Sequence, residues 1–447
     1  MPIHPSRLRR GRVLDFLVIT LAGFVFAGLA LYHFRRLDQA HADPERAKAL
    51  ADHTFSDPKT GTHDWPQWRG PNRDGVSTET GILTEWPTGG PNVLWKQPTG
   101  DGYASVVVAE GRAFTIFQDA GSEAVVAWDA LTGKEIWRHT YDCAYKNNYG
   151  NGPRSTPSVD GTHIYTVGGT GIMHCLTADT GKVVWSKKLL EEFSAPIPEW
   201  GVCFSPLVEG ERVFIMPGGP KACGLAALDK KTGDVLWKTH DDLASYSSPV
   251  GATFHGERQI LFLTGSRLVS VTPDTGAQLW SYPWPVQQQC NIATPIVMDD
   301  YVFISTGYGK GCAVFKIEKS GDDWRPSLVY KNRNMRNHFS SSVRHQDHVY
   351  GFDDTNLVCM SLGSGEVTWK ERGFDKGSVL LVGDQLIIYG ANGVLALAEA
   401  NTEKYTERSR FQFSAQGRSC WSVPVLSNGL LYVRDQKKVV CLDVREK

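Results

Sequence analysis

A short turn motif, [ST]-G-x-x-x-W, recurs five times along the chain and constrains the fold more than any other feature. Its copies begin at Thr132, Thr180, Thr232, Thr275 and Ser364 and end on Trp137, Trp185, Trp237, Trp280 and Trp369. The tryptophan positions 137, 185, 237 and 280 are 43 to 52 residues apart, and the last step, from 280 to 369, covers two such units. This period is typical of four-stranded β-propeller blades, and the glycine supplies the positive φ that a tight hairpin needs.

A second motif occurs near the start of five units, where a Ser, Thr or Val residue precedes a proline and an apolar run. Its copies are Thr156-Pro157, Ser205-Pro206, Ser248-Pro249, Thr294-Pro295 and Val423-Pro424. Proline has no amide donor, so it belongs on an edge strand such as the innermost strand of a blade. The two motifs together predict eight units, which open near Tyr103, Arg154, Cys203, Tyr246, Asn291, His338, Lys376 and Trp421. Because the fifth and seventh units lack the Thr-Gly-Trp ending, a seven-bladed ring with an inserted seventh unit remains an alternative.

The two ends of the repeat region predict how the ring closes. The eighth unit stops at 441–444, its third strand, and the segment 92–96 precedes the first unit. Pairing this segment with the eighth unit would supply the missing outer strand and remove an open sheet edge. The sequence therefore predicts an all-β protein, an eight-bladed propeller of four-stranded blades over residues 92–447.

The N-terminal region has a different composition. Residues 16–34 form an uncharged apolar run long enough for one membrane-spanning helix, and more arginines precede the run than follow it. We expect residues 1–15 in the cytoplasm, a tether over 35–62, an extension over 63–91 that packs on the propeller, and the propeller outside the inner membrane, in the periplasm. A cleavable signal peptide ending at 40–42 is the alternative, and it exports the same domain.

The repeat strings resemble the pyrroloquinoline-quinone (PQQ) repeat family of β-propellers. They run from Ala127 through Thr132-Gly133 to Trp137 and from Leu176 through Thr180-Gly181 to Trp185. The resemblance covers residues 92–447 and implies the propeller fold. It implies no single activity, because the family includes quinoprotein alcohol dehydrogenases, a lipoprotein of the outer-membrane assembly machine and exported bacterial propellers of unknown activity. The segment 65–75, WPQWRGPNRDG, is similar to the N-terminal signature of that last group.

Residues that open the units are expected to converge on one mouth of the axial channel. The candidate ligand or cofactor site consists of Arg154, Tyr246, Asn291, His338, Lys376 and Trp421. In a quinoprotein of this fold, Arg154 and Lys376 would pair with the carboxylates of PQQ and Trp421 would stack on its ring, with Ca²⁺ beside it. Long loops over 138–155 and 186–204 also belong to this mouth.

Several parts of a quinoprotein site are missing from the sequence. No two of the nine cysteines are adjacent, there is no C-x-x-C-H haem motif, and no carboxylate stands at the unit openings. The histidines form no compact metal-binding pattern, so we predict no metal site. The formal net charge of −1 also argues against nucleic acid as a partner.

Two functions remain open on this evidence. The first is a membrane-anchored, non-catalytic scaffold that binds a protein or a small ligand at the channel mouth. The alternative is a PQQ-dependent alcohol or sugar dehydrogenase that uses Arg154, Asn291, Lys376 and Trp421 to hold the cofactor.

Overall fold

A computed structural model of the chain describes residues 41–56, 63–415 and 420–446. Its strands form eight sheets, and each sheet contains four antiparallel strands that neighbour one another in sequence or close the ring. The prediction of an eight-bladed propeller is confirmed, and the seven-bladed alternative is wrong because the seventh unit forms a full sheet of its own.

Blades 1 to 4 follow the predicted order from inner to outer strand. Blade 1 comprises Val107–Ala109, Arg112–Asp119, Ser122–Asp129 and Glu135–Asp142; blade 2 comprises Ser158–Asp160, His163–Val167, Ile172–Thr177 and Val183–Lys188. Blade 3 comprises Leu207–Glu209, Arg212–Ile215, Leu225–Asp229 and Val235–Thr239; blade 4 comprises Val250–Phe254, Glu257–Leu263, Arg267–Val271 and Gln278–Pro283. A short helix, Leu189–Glu192, and a 3-10 turn, Gln287–Gln289, lie in the connections after blades 2 and 4.

Blades 5 to 8 complete the ring. Blade 5 comprises Ile296–Met298, Tyr301–Thr306, Gly311–Ser320 and Asp323–Asn332; blade 6 comprises Val343–His345, His348–Asp353, Asn356–Ser361 and Val367–Glu371. Blade 7 comprises Gly377–Val382, Gln385–Gly390, Val394–Glu399 and Glu407–Gln412; blade 8 comprises Val425–Ser427, Leu430–Arg434, Lys438–Asp443 and, as its outer strand, Asn92–Pro98. Two further short strands are His41–Ala42 and Val76–Ser77.

The ring closes with the strand that the sequence analysis predicted for this role. Asn92–Pro98 pairs antiparallel with Lys438–Asp443, with Asn92 opposite Asp443 and Pro98 opposite Lys438. The first and last strands of the propeller therefore share one sheet, which removes an open edge at the junction of the chain ends.

In blade 4, the indole of Trp280 donates to Gln259 Oε1 of its own blade at 2.9 Å. In five other blades, the repeated tryptophan connects its blade to the next. Its indole Nε1 donates a hydrogen bond to a carbonyl in the hairpin of the following blade: Trp95 to Ala130 (3.0 Å), Trp137 to Ala178 (2.9 Å), Trp185 to Lys230 (3.1 Å), Trp237 to Pro273 (2.9 Å) and Trp369 to Asn401 (2.7 Å). The ring of Trp137 also lies against Gly181, where a Cβ atom would come within 2.4 Å of it. The motif therefore supplies both partners of an inter-blade contact. Its tryptophan packs on the next blade, and its glycine leaves room for the tryptophan of the preceding blade.

Blades 5 and 7, which lack the motif, make this contact in other ways. The side-chain amide of Asn332 in blade 5 donates to the carbonyl of Gly365 at 2.9 Å. In blade 7, Phe411 packs against Trp86 of the extension with ring centroids 5.9 Å apart. These substitutes explain why the ring remains continuous where the sequence repeat is lost.

The segment 63–79 crosses the end of the channel opposite to the unit openings and contacts every blade. Trp65 exchanges two backbone hydrogen bonds with Val108 of blade 1, and the carbonyl of Pro66 accepts from Val159 of blade 2. Its contacts with blades 5, 7 and 8 are a bond from Trp68 to Thr294, the parallel pairing of Val76–Ser77 with Leu381–Val382, and the bonds from Asn428 and Gly429 to Glu79.

Two buried arginines of this segment contact the remaining blades. The guanidinium of Arg73 donates to the carbonyls of Ser205 (3.1 Å), Pro206 and Pro249 (2.8 Å), in blades 3 and 4. Arg69 donates to the carbonyl of Ser342 in blade 6 at 2.6 Å. Burial lowers the pKa of Arg73 to about 9, so the side chain keeps its charge at neutral pH and is held by carbonyl dipoles.

Part of the predicted tether is instead packed on the propeller. Within 35–62, helix α1 (Pro44–Ala51) is capped by the Asp43 carboxylate and buries Leu50 in the core of blades 5 and 6. His53 contacts Asp299 of blade 5 at 3.0 Å. The tether prediction is corrected for residues 41–56, because Leu50 and Phe55 give this segment an apolar side that the polar composition concealed.

The predicted membrane-spanning helix, 16–34, lies outside the described residues. In the part of the chain that the structure describes, no helix has the length and apolarity needed to cross a bilayer.

The inter-blade contact predicts a specific cost for a methyl group at Gly181. Gly181→Ala places a Cβ on the Trp137 ring at a φ of +67° and should lower the free energy of unfolding by about 3 kcal/mol. Gly161→Ala is the matched control, because Gly161 has a φ of +54° in the same blade and open space around it; we expect about 1 kcal/mol. Urea denaturation measures both, and equal losses would contradict the inter-blade role of Gly181.

The buried arginine predicts a second loss of stability. Arg73→Met leaves three inner-strand carbonyls without their donor and should lower the free energy of unfolding by about 3–5 kcal/mol. Arg138→Met removes an exposed arginine that pairs with Glu135 and should cost less than about 1 kcal/mol. A loss for Arg73→Met no larger than that of the control in the same urea titration would contradict the closing role of the segment.

Candidate functional site

The inner strands are joined around the channel by a belt of hydroxyl groups. In successive blades, a backbone N–H donates to the hydroxyl of the neighbouring inner strand: Ser105 to Thr156, Thr156 to Ser205, Ser205 to Ser248, Thr294 to Ser341 and Val423 to Ser105, at 2.9–3.0 Å. The belt fixes which residues are equivalent in the different blades. It therefore also fixes which residues stand at the mouth, two positions before the belt.

Counting from the belt corrects two of the predicted mouth residues. Tyr103, Arg154, Tyr246 and Trp421 stand at the mouth position, and so do Cys203, Ile292 and Phe339, while Lys376 directly precedes the inner strand of blade 7. The sequence analysis chose Asn291 and His338, each one residue too early. The signal that identifies Ile292 and Phe339 is the distance of two residues from Thr294 and Ser341, which the other units already display.

Asn291 lies beneath the mouth and has a structural role. Its side chain is fully buried, and its amide nitrogen donates to the carbonyls of Thr264 (2.7 Å) and Trp284 (3.2 Å). Its amide oxygen accepts from the hydroxyl of Thr306 at 2.8 Å. The amide is thus committed to protein groups on both sides, so the prediction that Asn291 holds a ligand is corrected.

His338 packs beside the mouth with a neutral ring. Its centroid lies 4.7 Å from that of Tyr308, and burial, with a further contribution from the nearby Lys376 charge, lowers its pKa to about 4. At neutral pH the imidazole therefore carries no charge. It contributes an aromatic surface to the mouth and no cation.

A stack of three aromatic rings crosses the mouth. Trp421 of blade 8 lies 4.8 Å from Tyr103 of blade 1 at an interplanar angle of 24°, and 5.2 Å from Phe339 of blade 6 at 32°. The two partners come from opposite sides of blade 8 in the ring. The partly exposed indole is therefore in contact with two protein rings, and this aromatic stack lies at the centre of the mouth.

Arg154 holds the loop that leads into its own blade. Its guanidinium donates to the carbonyls of Gly152 (2.9 Å) and Gly150 (2.8 Å) and lies between the rings of Tyr103 and Tyr145, 5.2 Å and 5.1 Å from their centroids. The sequence predicted a carboxylate partner for this side chain. Backbone carbonyls and π faces take that place instead.

The other predicted cation of the mouth is paired. Lys376 Nζ lies 3.2 Å from a carboxylate oxygen of Asp354 in blade 6. With His338 neutral and Lys376 paired, Arg154 is the remaining cation of this group, and backbone carbonyls and aromatic rings surround its charge.

The two long loops predicted at the mouth, 138–155 and 186–204, are fastened to each other. The hydroxyl of Tyr145 donates to the carbonyl of Glu199 at 2.8 Å, and the side-chain amide of Asn147 donates to the same carbonyl at 3.0 Å. Trp200 in turn contacts the ring of Tyr246, with centroids 5.3 Å apart. These bonds give the loops a defined geometry over the mouth.

Large apolar side chains remain exposed on these loops and their neighbours. They are Tyr149 (61 % exposed), Ile197 (51 %), Leu243 (46 %) and Tyr308 (39 %). Sequence reasoning located Tyr149 on a long loop but missed Ile197, whose position between two prolines in 196–198 is a signal for an extended, rigid segment.

The residues at the mouth do not fit a bound PQQ. The cofactor needs cations for its carboxylates and an aromatic face for its ring, but Arg154 and Lys376 are engaged and Trp421 packs against Tyr103 and Phe339. Among residues 41–56, 63–415 and 420–446 there is also no group of three His, Cys, Asp or Glu side chains arranged to hold a metal ion.

Solved structures with the same fold include a BamB protein and an alcohol dehydrogenase. BamB from Moraxella catarrhalis superposes with a TM-score of 0.55 at 15% identity, covering 78% of this chain and 97% of its own. The quinohemoprotein alcohol dehydrogenase ADHIIG from Pseudomonas putida HK5 gives 0.57 at 12% identity, covering 91% of this chain and 83% of its own. At these identities the likeness shows the fold.

Two curated proteins match just under half of the chain in sequence. Tetrathionate hydrolase of Acidithiobacillus ferrooxidans is 24% identical over 230 residues, which is 48% of this chain and 44% of the relative. The outer membrane protein assembly factor BamB of Shewanella oneidensis is 26% identical over 231 residues, 49% of this chain and 57% of the relative. The chain thus spans about half the length of the curated relatives it matches.

A family model described as outer membrane protein assembly factor BamB matches residues 121–371, from the third strand of blade 1 to the end of blade 6. This match includes all five of the [ST]-G-x-x-x-W motifs in full. Because it covers more than half of the chain and agrees with the observed blades, the chain belongs to this BamB-like family of PQQ-repeat propellers.

Proposed function

We propose that the protein is a non-catalytic binding scaffold whose channel mouth receives an uncharged, apolar segment of a partner protein. The observation that carries this proposal is the composition of the mouth. Four of its eight positions are aromatic, and the cations beside them are bound to protein groups. Aromatic residues without free charge are typical of the central part of a protein interface.

The shape of the surface also supports a protein partner. Tyr149, Ile197, Leu243 and Tyr308 stand exposed around a centre closed by the stack on Trp421. A small ligand needs a concave site that surrounds it, whereas a protein can cover several exposed side chains at once. The loop contacts at Glu199 hold two of these side chains in place before binding, which lowers the entropy lost on association.

The cellular location that we propose is the periplasmic side of the inner membrane. The apolar run at 16–34 would anchor the chain, and the preceding arginines would remain in the cytoplasm. Relatives named as outer membrane protein assembly factors agree with a role in the cell envelope.

The alternative function, a PQQ-dependent alcohol or sugar dehydrogenase, has less support. Its cofactor would require Arg154, Asn291, Lys376 and Trp421, and each of these side chains is engaged with protein groups. The dehydrogenase of known structure shares the fold at 12% identity, which does not transfer its activity to this chain.

Site-specific photocrosslinking tests the binding face in the cell that produces the protein. p-Benzoylphenylalanine at Tyr149 or at Tyr308 should give an adduct of defined mass, because both rings are exposed at the mouth. The matched control is Leu131, which is 54 % exposed in the hairpin of blade 1 at the opposite end of the channel. Adducts at Leu131 equal to those at the mouth, or none at either mouth position, would contradict the proposal.

A further inference from the structure

The junction between blades 1 and 2 contains a buried polar cluster where the other blades are apolar. His174 lies on the third strand of blade 2, where it pairs with Ser186. It directly precedes Cys175, the residue that pairs with the outer-strand Trp185. The equivalent positions in blades 1, 3, 4, 6 and 8 are Val126, Ala226, Val269, Val358 and Val440. Among these six blades, only blade 2 therefore has an ionisable ring at this position, where the other five have a small apolar side chain.

Two imidazoles face each other in this junction. The ring centroid of His174 lies 5.0 Å from that of His139 and 4.4 Å from that of Tyr141, both on the outer strand of blade 1. His174 is only 5 % exposed, and within the described residues His174 Nδ1 and His139 Nε2 are buried without a hydrogen-bond partner. Burial lowers the pKa of His174 to about 4, with His139 as the second cause, and burial also lowers the pKa of His139.

The groups around His174 offer no counter-charge in direct contact. Within its own blade, its strand partners Thr166 and Ser186 carry hydroxyls. From blade 1, His139 and Tyr141 pack on its ring, and the carboxylate of Glu123 lies on the far side of Tyr141. A proton on His174 would therefore place a cation in a buried site next to a second protonatable ring.

This cluster is bonded to the loops of the mouth. The Tyr141 hydroxyl donates to Glu123 Oε2 at 2.6 Å, and the backbone N–H of Gly169 donates to Glu123 Oε1 at 2.8 Å. The carbonyl of Gly169 accepts from the N–H of Val202, in the loop before blade 3, at 3.0 Å. Gly169 also lies against Tyr145, since a Cβ there would come within 2.8 Å of the Tyr145 Cβ.

We propose that the junction of blades 1 and 2 is an acid-sensitive latch, in which protonation of His174 and His139 separates Tyr141 and Glu123 from blade 2 and loosens the two mouth loops. The charge enters between the blades, and the junction relieves it by admitting water. The bond from Gly169 to Glu123 is then weakened, and with it the support of Tyr145 and Val202. The latch concerns the chain itself, so it stands or falls independently of the partner proposed for the mouth.

The direction of the pH effect follows from the pKa values. The folded-state pKa of His174, about 4, lies below the ordinary 6.5, so its contribution to stability is complete above pH 6.5 and is lost as the pH falls toward 4. Glu123 acts in the opposite direction, because burial raises its pKa and acid relieves that unfavourable charge. A substitution of His174 removes the contribution of this histidine and leaves that of Glu123, so it separates the two effects.

Hydrogen exchange of the soluble propeller domain at pH 7.0 and pH 4.5, corrected for intrinsic exchange rates, tests the latch. In the unaltered domain, the protection of amides in 145–152 and 200–204 should fall at least about tenfold on acidification. His174→Val, the residue that four equivalent blades carry, should reduce this fall to less than about twofold, and His174→Gln should do the same without added apolar surface.

The matched control is His338→Gln, which removes another buried histidine with a pKa of about 4 that has no bond to Glu123 or Gly169. It should keep the full loss of loop protection. An equal loss in both His174 variants and in the unaltered domain would overturn the proposal, as would an absence of loss in the unaltered domain. Loss of protection spread evenly over all eight blades would also overturn it, because that result describes global acid unfolding.

Discussion

The contact between an outer-strand tryptophan and the hairpin of the next blade is the interaction on which the ring depends. Each blade buries its faces only against its neighbours, so a propeller is stable only when every junction is made. The indole gives a large apolar surface and one N–H donor, and the hairpin glycine leaves room for both, as at Trp137 and Gly181. Where the motif is absent, Asn332 and Phe411 supply related contacts, so the constraint is kept while the residues change.

A ring closed in this way leaves two channel ends, and the chain treats them differently. At one end the segment 63–79 contacts all eight blades, and the guanidinium of Arg73 donates to carbonyls next to the inner strands of blades 3 and 4. At the other end the stack of Tyr103, Trp421 and Phe339 fills the centre, while exposed apolar side chains surround it. The second end is therefore the face at which we propose that a partner protein binds.

The sequence predicted ring closure and favoured eight blades, because both depend on motifs that recur and so can be counted. The seven-bladed alternative stayed open because the seventh unit lacks the Thr-Gly-Trp ending. The mouth was harder to predict. Asn291 and His338 were chosen one position too early, since the belt of hydroxyls that sets the register is visible only when neighbouring strands are in place. Arg154 was assigned a carboxylate partner because sequence reveals charges and conceals backbone carbonyls. For the same reason Arg73 gave no sign that it is buried.

Equilibrium dialysis of the soluble propeller domain against PQQ, with and without Ca²⁺, is the most direct test of the account. It asks whether the side chains of the mouth are engaged with other protein groups or are available to hold the cofactor. The account predicts no binding at tens of micromolar, a concentration at which even a site of about −6 kcal/mol would be detected. Calcium-dependent binding of one PQQ per chain, lost in both Arg154→Ala and Trp421→Ala, would contradict the account. It would show that Tyr103 and Phe339 move aside and that the engaged side chains are available to a ligand.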